Sequence, residues 1–221
     1  MDWTALILSF KLSACTVAVL LVLGLGTARM LAWTRFRGKF LLEAIVALPL
    51  VLPPTVLGYY LLVFLGRQSP IGIAIESITG HTLVFSFSGL VLASVIYSFP
   101  FAVQPMLRAF ESIPYSLREA AWCSGLSTWS TFWRIELPLA RSGVLSALAL
   151  SFAHTMGEFG VVLMVGGNIA GETRTISIAI FDKVQAFDDA SAGIMSLVLL
   201  LFAFFTVSIV YMLNRRSQVY S

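Results

Sequence analysis

The stretch Ser116–Pro138, SLREAAWCSGLSTWSTFWRIELP, decides how this chain is read. It is too polar to sit in lipid, yet apolar runs bracket it closely on both sides. Its first half predicts a short helix. Ser116 followed three residues later by Glu119 has the pattern of a capping box, in which each side chain bonds the other residue's backbone amide. Gly125 suits the left-handed residue that follows a helix C-terminus. About two turns lie between them, and a helix that short is marginal alone. Leu117, Ala120, Ala121 and Ser124 recur at i, i+3, i+4 and i+7, a face of mostly small side chains that another body can approach closely.

The bracketing runs set the fold class. The chain has 221 residues, of which 58% are hydrophobic and 11% charged, and its mean hydropathy is +0.92. Soluble domains carry about 25% charged residues, so the chain reads as an all-α, polytopic membrane protein with the lipid bilayer as its solvent. It reads as a single transmembrane domain over residues 1–221. Five spans are expected, at about 5–31, 40–65, 83–107, 139–165 and 190–213, with the polar loop 114–138 between the third and fourth. The first span is retained rather than cleaved, because Met1-Asp2-Trp3 lacks positive charge and the apolar run is too long for a signal peptide. Cys15 falls in that span and Cys123 in the loop, so no disulfide is expected.

Charge orients the spans. Arg29, Arg35, Arg37, Lys39, Arg108, Arg118, Arg134, Arg141, Arg215 and Arg216 fall in one set of loops, ten in all; Arg67, Arg174 and Lys183 fall in the other; Lys11 lies in the first span. The positive-inside rule places the first set in the cytoplasm, the N-terminus outside and the C-terminus inside. The net charge of +3 follows from these loop residues and does not point to nucleic acid.

Within the spans, the second run is interrupted by Pro49, Pro53 and Pro54, each of which removes an amide donor. A kinked helix facing protein is expected, either an ordinary proline kink or a lining of a translocation path. Residues 66–81 read as a loop. In the fourth span His154 and Glu158 lie one helical turn apart, with Thr155 between them. They read either as a hydrogen-bonded pair that stabilises the bundle or as part of a gate. Two ligands without a third do not make a metal site. Arg174 reads as a solvated loop charge, as a partner of Glu172, or as an attractor of anions. Ile176, Ile180 and Val184 suggest a short interfacial helix after Thr175. No phosphate-binding loop, H-E-x-x-H or G-x-S-x-G motif is present, so no catalytic residue is expected and any ATP must be hydrolysed by another chain.

The spacing of Glu119-Ala120-Ala121, Gly125, Ile135 and Leu137-Pro138 resembles the EAA signature of permease subunits of binding-protein-dependent ABC importers. Leu48–Gly72, Gly157–Gly160 and Gly167–Thr175 look like permeases for molybdate, the likeness running from about Lys39 to Thr175, although members of that group often have Pro where this chain has Ala170. The resemblance implies a type I importer permease fold, in which those seven positions couple to the ATPase. It further implies a homodimer in the bacterial inner membrane, with cytoplasmic ATPase subunits below and a periplasmic molybdate-binding protein above. No cofactor is implied for this chain; ATP is used by the partner subunit. Tungstate and sulfate are the alternative substrates, and a secondary transporter or channel, or a membrane subunit without transport of its own, are the more distant readings. A dianion in a low-dielectric path calls for hydroxyls or water, and Ser86, Ser88, Ser94, Ser98, Ser151 and Thr155 are candidates by position.

Overall fold

The computed structural model describes the backbone of residues 1–218 and the side chains of residues 1–212. Helix α1, Trp3–Trp33, starts where the Asp2 carboxylate accepts from the Ala5 amide at 3.0 Å. Helices α2, Lys39–Val51, and α3, Pro54–Leu65, meet at a 110° break rather than a kink. Leu52 and Pro53 each precede a proline, which disfavours helical geometry, and both are extended, with ψ of 134° and 136°. Pro54 then opens α3, where its missing N–H costs nothing. Pro49 sits buried inside α2 without breaking it.

Residues 66–81 are not simply a loop. They hold helix α4, Pro70–Thr79, whose start is fixed by the Ser69 hydroxyl accepting from Gly72 at 2.8 Å and whose end is fixed by Gly80 at φ 76°. Helix α5, Phe87–Glu111, runs unbroken through Pro100 and Pro105. Helix α6, Tyr115–Cys123, is followed by a turn and then by one continuous helical rod from Thr128 to Gly157. That rod comprises α7 (Thr128–Thr131), a π-bulge over Phe132–Glu136, and α8 (Leu137–Gly157). The helix that carries the fourth span therefore begins about a dozen residues before position 139. In α-register the ring of Pro138 would meet the Arg134 carbonyl. The bulge, with the Leu137 amide on the Phe132 carbonyl, relaxes that conflict without ending the helix.

The fourth span also ends early. Glu158 is extended, and a separate short helix, α9, runs over Gly160–Gly166. Helix α10, Ile176–Gln185, lies where the isoleucine spacing placed it. Asp188 then caps the last helix, α11 (Asp189–Gln218), through the Ser191 amide; its hydrogen bond from Lys183 at 3.0 Å is the main cause holding its carboxyl below the usual range. The side chains of Asn214, Arg215 and Arg216 lie outside the described residues. Among the described residues, four helices are long and apolar enough to cross a membrane, and α2–α3 makes a fifth if the bent pair is one span.

Helices α1, α5 and α8 form the core, closed by Leu31, Met106, Phe110 and Val144 among others. Small residues set the close approaches. A Cβ on Gly143 would lie 2.4 Å from that of Ala109, the kind of contact that drives helix association where lipid supplies no hydrophobic force. Helix α11 presents Leu197, Leu200, Phe204 and Phe205 outward, as a lipid-facing span must.

Candidate coupling surface and membrane gate

Helix α6 is fixed at its C-terminal end, and the expected capping box does not form at its start. Pro114 is its N-cap, so Ser116 already lies in the first helical turn and its hydroxyl makes no capping bond. At the other end Gly125 is left-handed, at φ 82°. Its amide donates to the Trp122 carbonyl at 2.9 Å and the Leu126 amide donates to Ala121 at 3.0 Å, the paired bonds of a Schellman motif. The buried face also differs from the small-residue face read from the spacing. Arg118 and Ala121 are buried, while Leu117, Ala120 and Ser124 are exposed. Glu119 is exposed and makes no hydrogen bond or ion pair with any described residue.

Arg118 is buried because it completes an ionic cluster. Glu136, in the π-bulge, is 0% exposed. Its Oε1 accepts from Arg118 Nε at 2.9 Å and its Oε2 accepts from Arg29 Nε, at the C-terminal end of α1, at 2.6 Å. The Arg118 guanidinium lies 4.1 Å from the ring centre of Trp33 and 4.8 Å from that of Trp122. One carboxylate thus ties α6 to the base of α8 and to the end of α1. The motif positions Ile135, Leu137 and Pro138 flank it: Ile135 and Leu137 half-buried, Pro138 exposed. Sequence reasoning passed over Arg29, Arg118 and Glu136 and took both arginines as loop charges. The available signal was Glu136 itself, an acid inside the motif's apolar Ile-x-Leu-Pro end.

At the other end of α8, His154 and Glu158 do not bond each other. His154 Nδ1 lies 3.0 Å from Ser98 Oγ, which is also 3.0 Å from Thr155 Oγ1. The imidazole stacks on Phe101 with ring centres 3.9 Å apart and leans on Tyr97. Glu158 instead turns toward α9, where its carboxylate accepts from the Val161 amide at 2.9 Å. A carboxylate at a helix N-terminus is stabilised by the helix dipole and the free amides. The two breaks in the fold meet here: a Cβ on Gly160 would stand 2.7 Å from Pro54 Cβ, and one on Gly58 would stand 2.8 Å from Met164 Cβ. The break at Leu52–Pro53 and the break at Glu158–Phe159 thus form one packed unit of α3 and α9.

The candidate hydroxyls divide. Ser86 and Ser88 bond each other at the start of α5, where Ser86 also caps the helix. Ser94, Ser98, Ser151 and Thr155 are enclosed by this chain, and the Ser94 and Ser151 hydroxyls make no hydrogen bond with a described residue. Arg174 pairs with Asn168 Oδ1 at 2.5 Å and Asp182 at 3.6 Å rather than with Glu172. No group of three or more metal-ligating side chains occurs among the described residues.

The family described as the binding-protein-dependent transport system inner membrane component matches residues 20–219. The molybdenum transport system permease protein ModB of Azotobacter vinelandii is 48% identical over 97% of this chain and 95% of its own length. Its counterpart in Escherichia coli K12 is 41% identical over 83% of this chain and 80% of its own. A probable sulfate transport permease from Chlorokybus atmophyticus is 34% identical over 84% of this chain and 67% of its own. Among solved structures, a bacterial ABC transporter for the acidic polysaccharide alginate superposes with a TM-score of 0.71 at 19% identity, over 97% of this chain and 78% of that one. The inward-facing methionine transporter MetNI gives 0.68 at 17% identity, over 95% and 94%. With this all-helical architecture and a family match across nearly the whole chain, the protein belongs to the inner-membrane permease components of binding-protein-dependent ABC importers.

Proposed function

We propose that this chain is the membrane-spanning subunit of an importer that moves molybdate inward at the expense of ATP hydrolysed by a separate subunit. The observation that carries the substrate is the 48% identity, across 97% of the chain, to a molybdenum permease; likeness to sulfate permeases is weaker, at 34%. Tungstate, a tetrahedral dianion of nearly the same size, fits the same reading. The subunit works as a homodimer, with the path between two copies, its N-terminus outside and its C-terminus inside. ATPase subunits dock on α6 from the cytoplasm, and a periplasmic oxyanion-binding protein docks opposite.

The geometry supports one coupling route. The exposed face of α6, with Glu119 unpaired among the described residues, is offered to the ATPase. Glu136 ties α6 to the base of a rod that runs unbroken from Thr128 to Gly157, about 45 Å at the standard rise. At its far end stand His154, Thr155 and Glu158, packed toward Pro54 through α9. Displacement of α6 by closing ATPases is therefore passed along one stiff element to the gate, whose other side is built on Pro49, Pro53 and Pro54. The test is uptake in proteoliposomes containing this subunit, its ATPase and its binding protein. Accumulation of molybdate that requires internal ATP and the binding protein is expected, with tungstate competing strongly and sulfate weakly. Sulfate competing as well as tungstate would reject the substrate assignment. Uptake driven by an ion gradient without ATP would reject the importer reading.

A further inference from the structure

A groove of about 750 Å³ opens beside the ionic cluster. Leu21, Leu25 and Gly26 line it toward the middle of α1, its deep end in the span, and Trp33, Trp129 and Trp133 line it with Arg29 toward the C-terminal end of α1, its mouth. From Leu21 to Met30 the groove follows α1 for about 14 Å, close to half the ~30 Å hydrocarbon core of a bilayer. Its deep wall belongs to a membrane span, whereas its mouth carries charge. Trp129 and Trp133 are 67% and 51% exposed, and indole rings favour the level of lipid headgroups. The charge at the mouth is unbalanced: two guanidiniums, Arg29 and Arg118, share the single carboxylate of Glu136. Arg29 is 27% exposed and keeps donor capacity beyond its bonds to Glu136 and the Thr128 carbonyl. The loop that follows adds Arg35, Arg37 and Lys39, and the basic loops mark the cytoplasmic side.

We propose that this groove is a binding site for one acidic phospholipid of the cytoplasmic leaflet, with an acyl chain along Leu21–Met30 and its phosphate at Arg29. Apolar depth of one leaflet, an aromatic rim and a net positive mouth together match an anionic amphiphile. A free anion would leave the apolar wall bare, and a zwitterionic lipid would leave the excess charge unmatched. The lipid would brace the joint between α1, α6 and the rod, so headgroup charge would bear on coupling as well as on binding.

Gly26 supplies a clean test. It lines the groove, and a Cβ added there meets nothing within 4 Å, so Gly26→Leu fills the space without disturbing the packing. The full-length chain is reconstituted into vesicles of phosphatidylcholine doped with either brominated phosphatidylglycerol or brominated phosphatidylcholine, and tryptophan quenching is followed. Quenching by the acidic lipid is expected at mole fractions about fivefold lower, the preference one arginine near an anionic surface supplies. Gly26→Leu should erase that preference while leaving circular dichroism and thermal unfolding unchanged, and raised salt should reduce it. Equal quenching by the two lipids overturns the proposal. So does a preference that survives Gly26→Leu, which would place it on the general basic surface. Quenching by neither lipid also overturns it, because the groove would then be covered by protein, such as a second copy of this chain.

Discussion

Glu136 accepts from Arg29 on both carboxylate oxygens and from Arg118 on one of them, and neither arginine belongs to its own helix. Three elements distant in sequence therefore meet on one carboxylate with no exposed surface. Breaking a buried ion pair from one side leaves charge without a partner, which costs about 3–5 kcal/mol, well above the worth of a surface pair. Glu136→Ala strands both guanidiniums. The variant is expected to insert but to unfold at lower temperature in detergent, with α6 loosened and ATP turnover no longer raised by the binding protein. Arg118→Lys should do the same more mildly, because an ammonium keeps charge but loses the planar stacking on Trp33 and Trp122. Unchanged unfolding and stimulated turnover in Glu136→Ala would remove the cluster from the coupling route.

Glu119 and Gly125 separate docking from folding. Glu119 has no partner among the described residues and caps nothing, so Glu119→Ala is expected to leave thermal unfolding unchanged while weakening co-purification with the ATPase. Gly125 sits at φ 82° in open space, and a β-branched residue there pays for a left-handed backbone by roughly 1–2 kcal/mol. Gly125→Val should disturb the Schellman turn, so that ATPase retention and stimulated turnover fall together. Normal retention in both variants would mean that α6 is not the docking helix.

What was legible beforehand was the part governed by local rules. Apolar runs marked the long helices α1, α5 and α11 and most of α8, and Gly125 marked the end of α6. Paired prolines marked a disturbance near residue 53, although its size, 110°, depends on Leu52 and Pro53 both being extended. The start of α6 was misread because Pro114 competes with Ser116 for the N-cap, and its fixed φ and missing N–H prevail. The ionic cluster was not legible, since Arg29 and Glu136 are 107 residues apart and only tertiary packing pairs them. Glu158 differs for a local reason: the apolar run continues past it and hides the break between α8 and α9, so its partner is the Val161 amide three residues on rather than His154.

Topology gives an independent check. Cys123 ends α6 and is exposed, while Ser77 lies on the exposed part of α4 and bonds only the Ala74 carbonyl. With the basic loops inside, a membrane-impermeant maleimide applied to intact spheroplasts is expected to label Ser77→Cys and to spare Cys123 until the membrane is opened. The reverse pattern would invert the whole chain and place α6 where no ATPase can reach it.

The gate yields the last prediction, because its two halves fail differently. The Glu158 carboxylate accepts from the Val161 amide, and the amide oxygen of glutamine can accept there too. Glu158→Gln is therefore expected to keep α9 in place and to retain most uptake. Glu158→Ala removes a cap worth about 0.5–2 kcal/mol and frees the start of α9, so uptake should fall several-fold while binding-protein-stimulated ATP hydrolysis continues. Gly160→Val tests the packing instead of the cap. A Cβ there would stand 2.7 Å from that of Pro54, inside the closest approach of two carbons, so α3 and α9 must separate. That variant should hydrolyse ATP without accumulating molybdate. The measurement is paired uptake and ATP turnover on the same proteoliposomes. If Glu158→Gln abolishes uptake as fully as Glu158→Ala, the negative charge itself serves transport. If Gly160→Val transports normally, the meeting of the two helix breaks is not the gate.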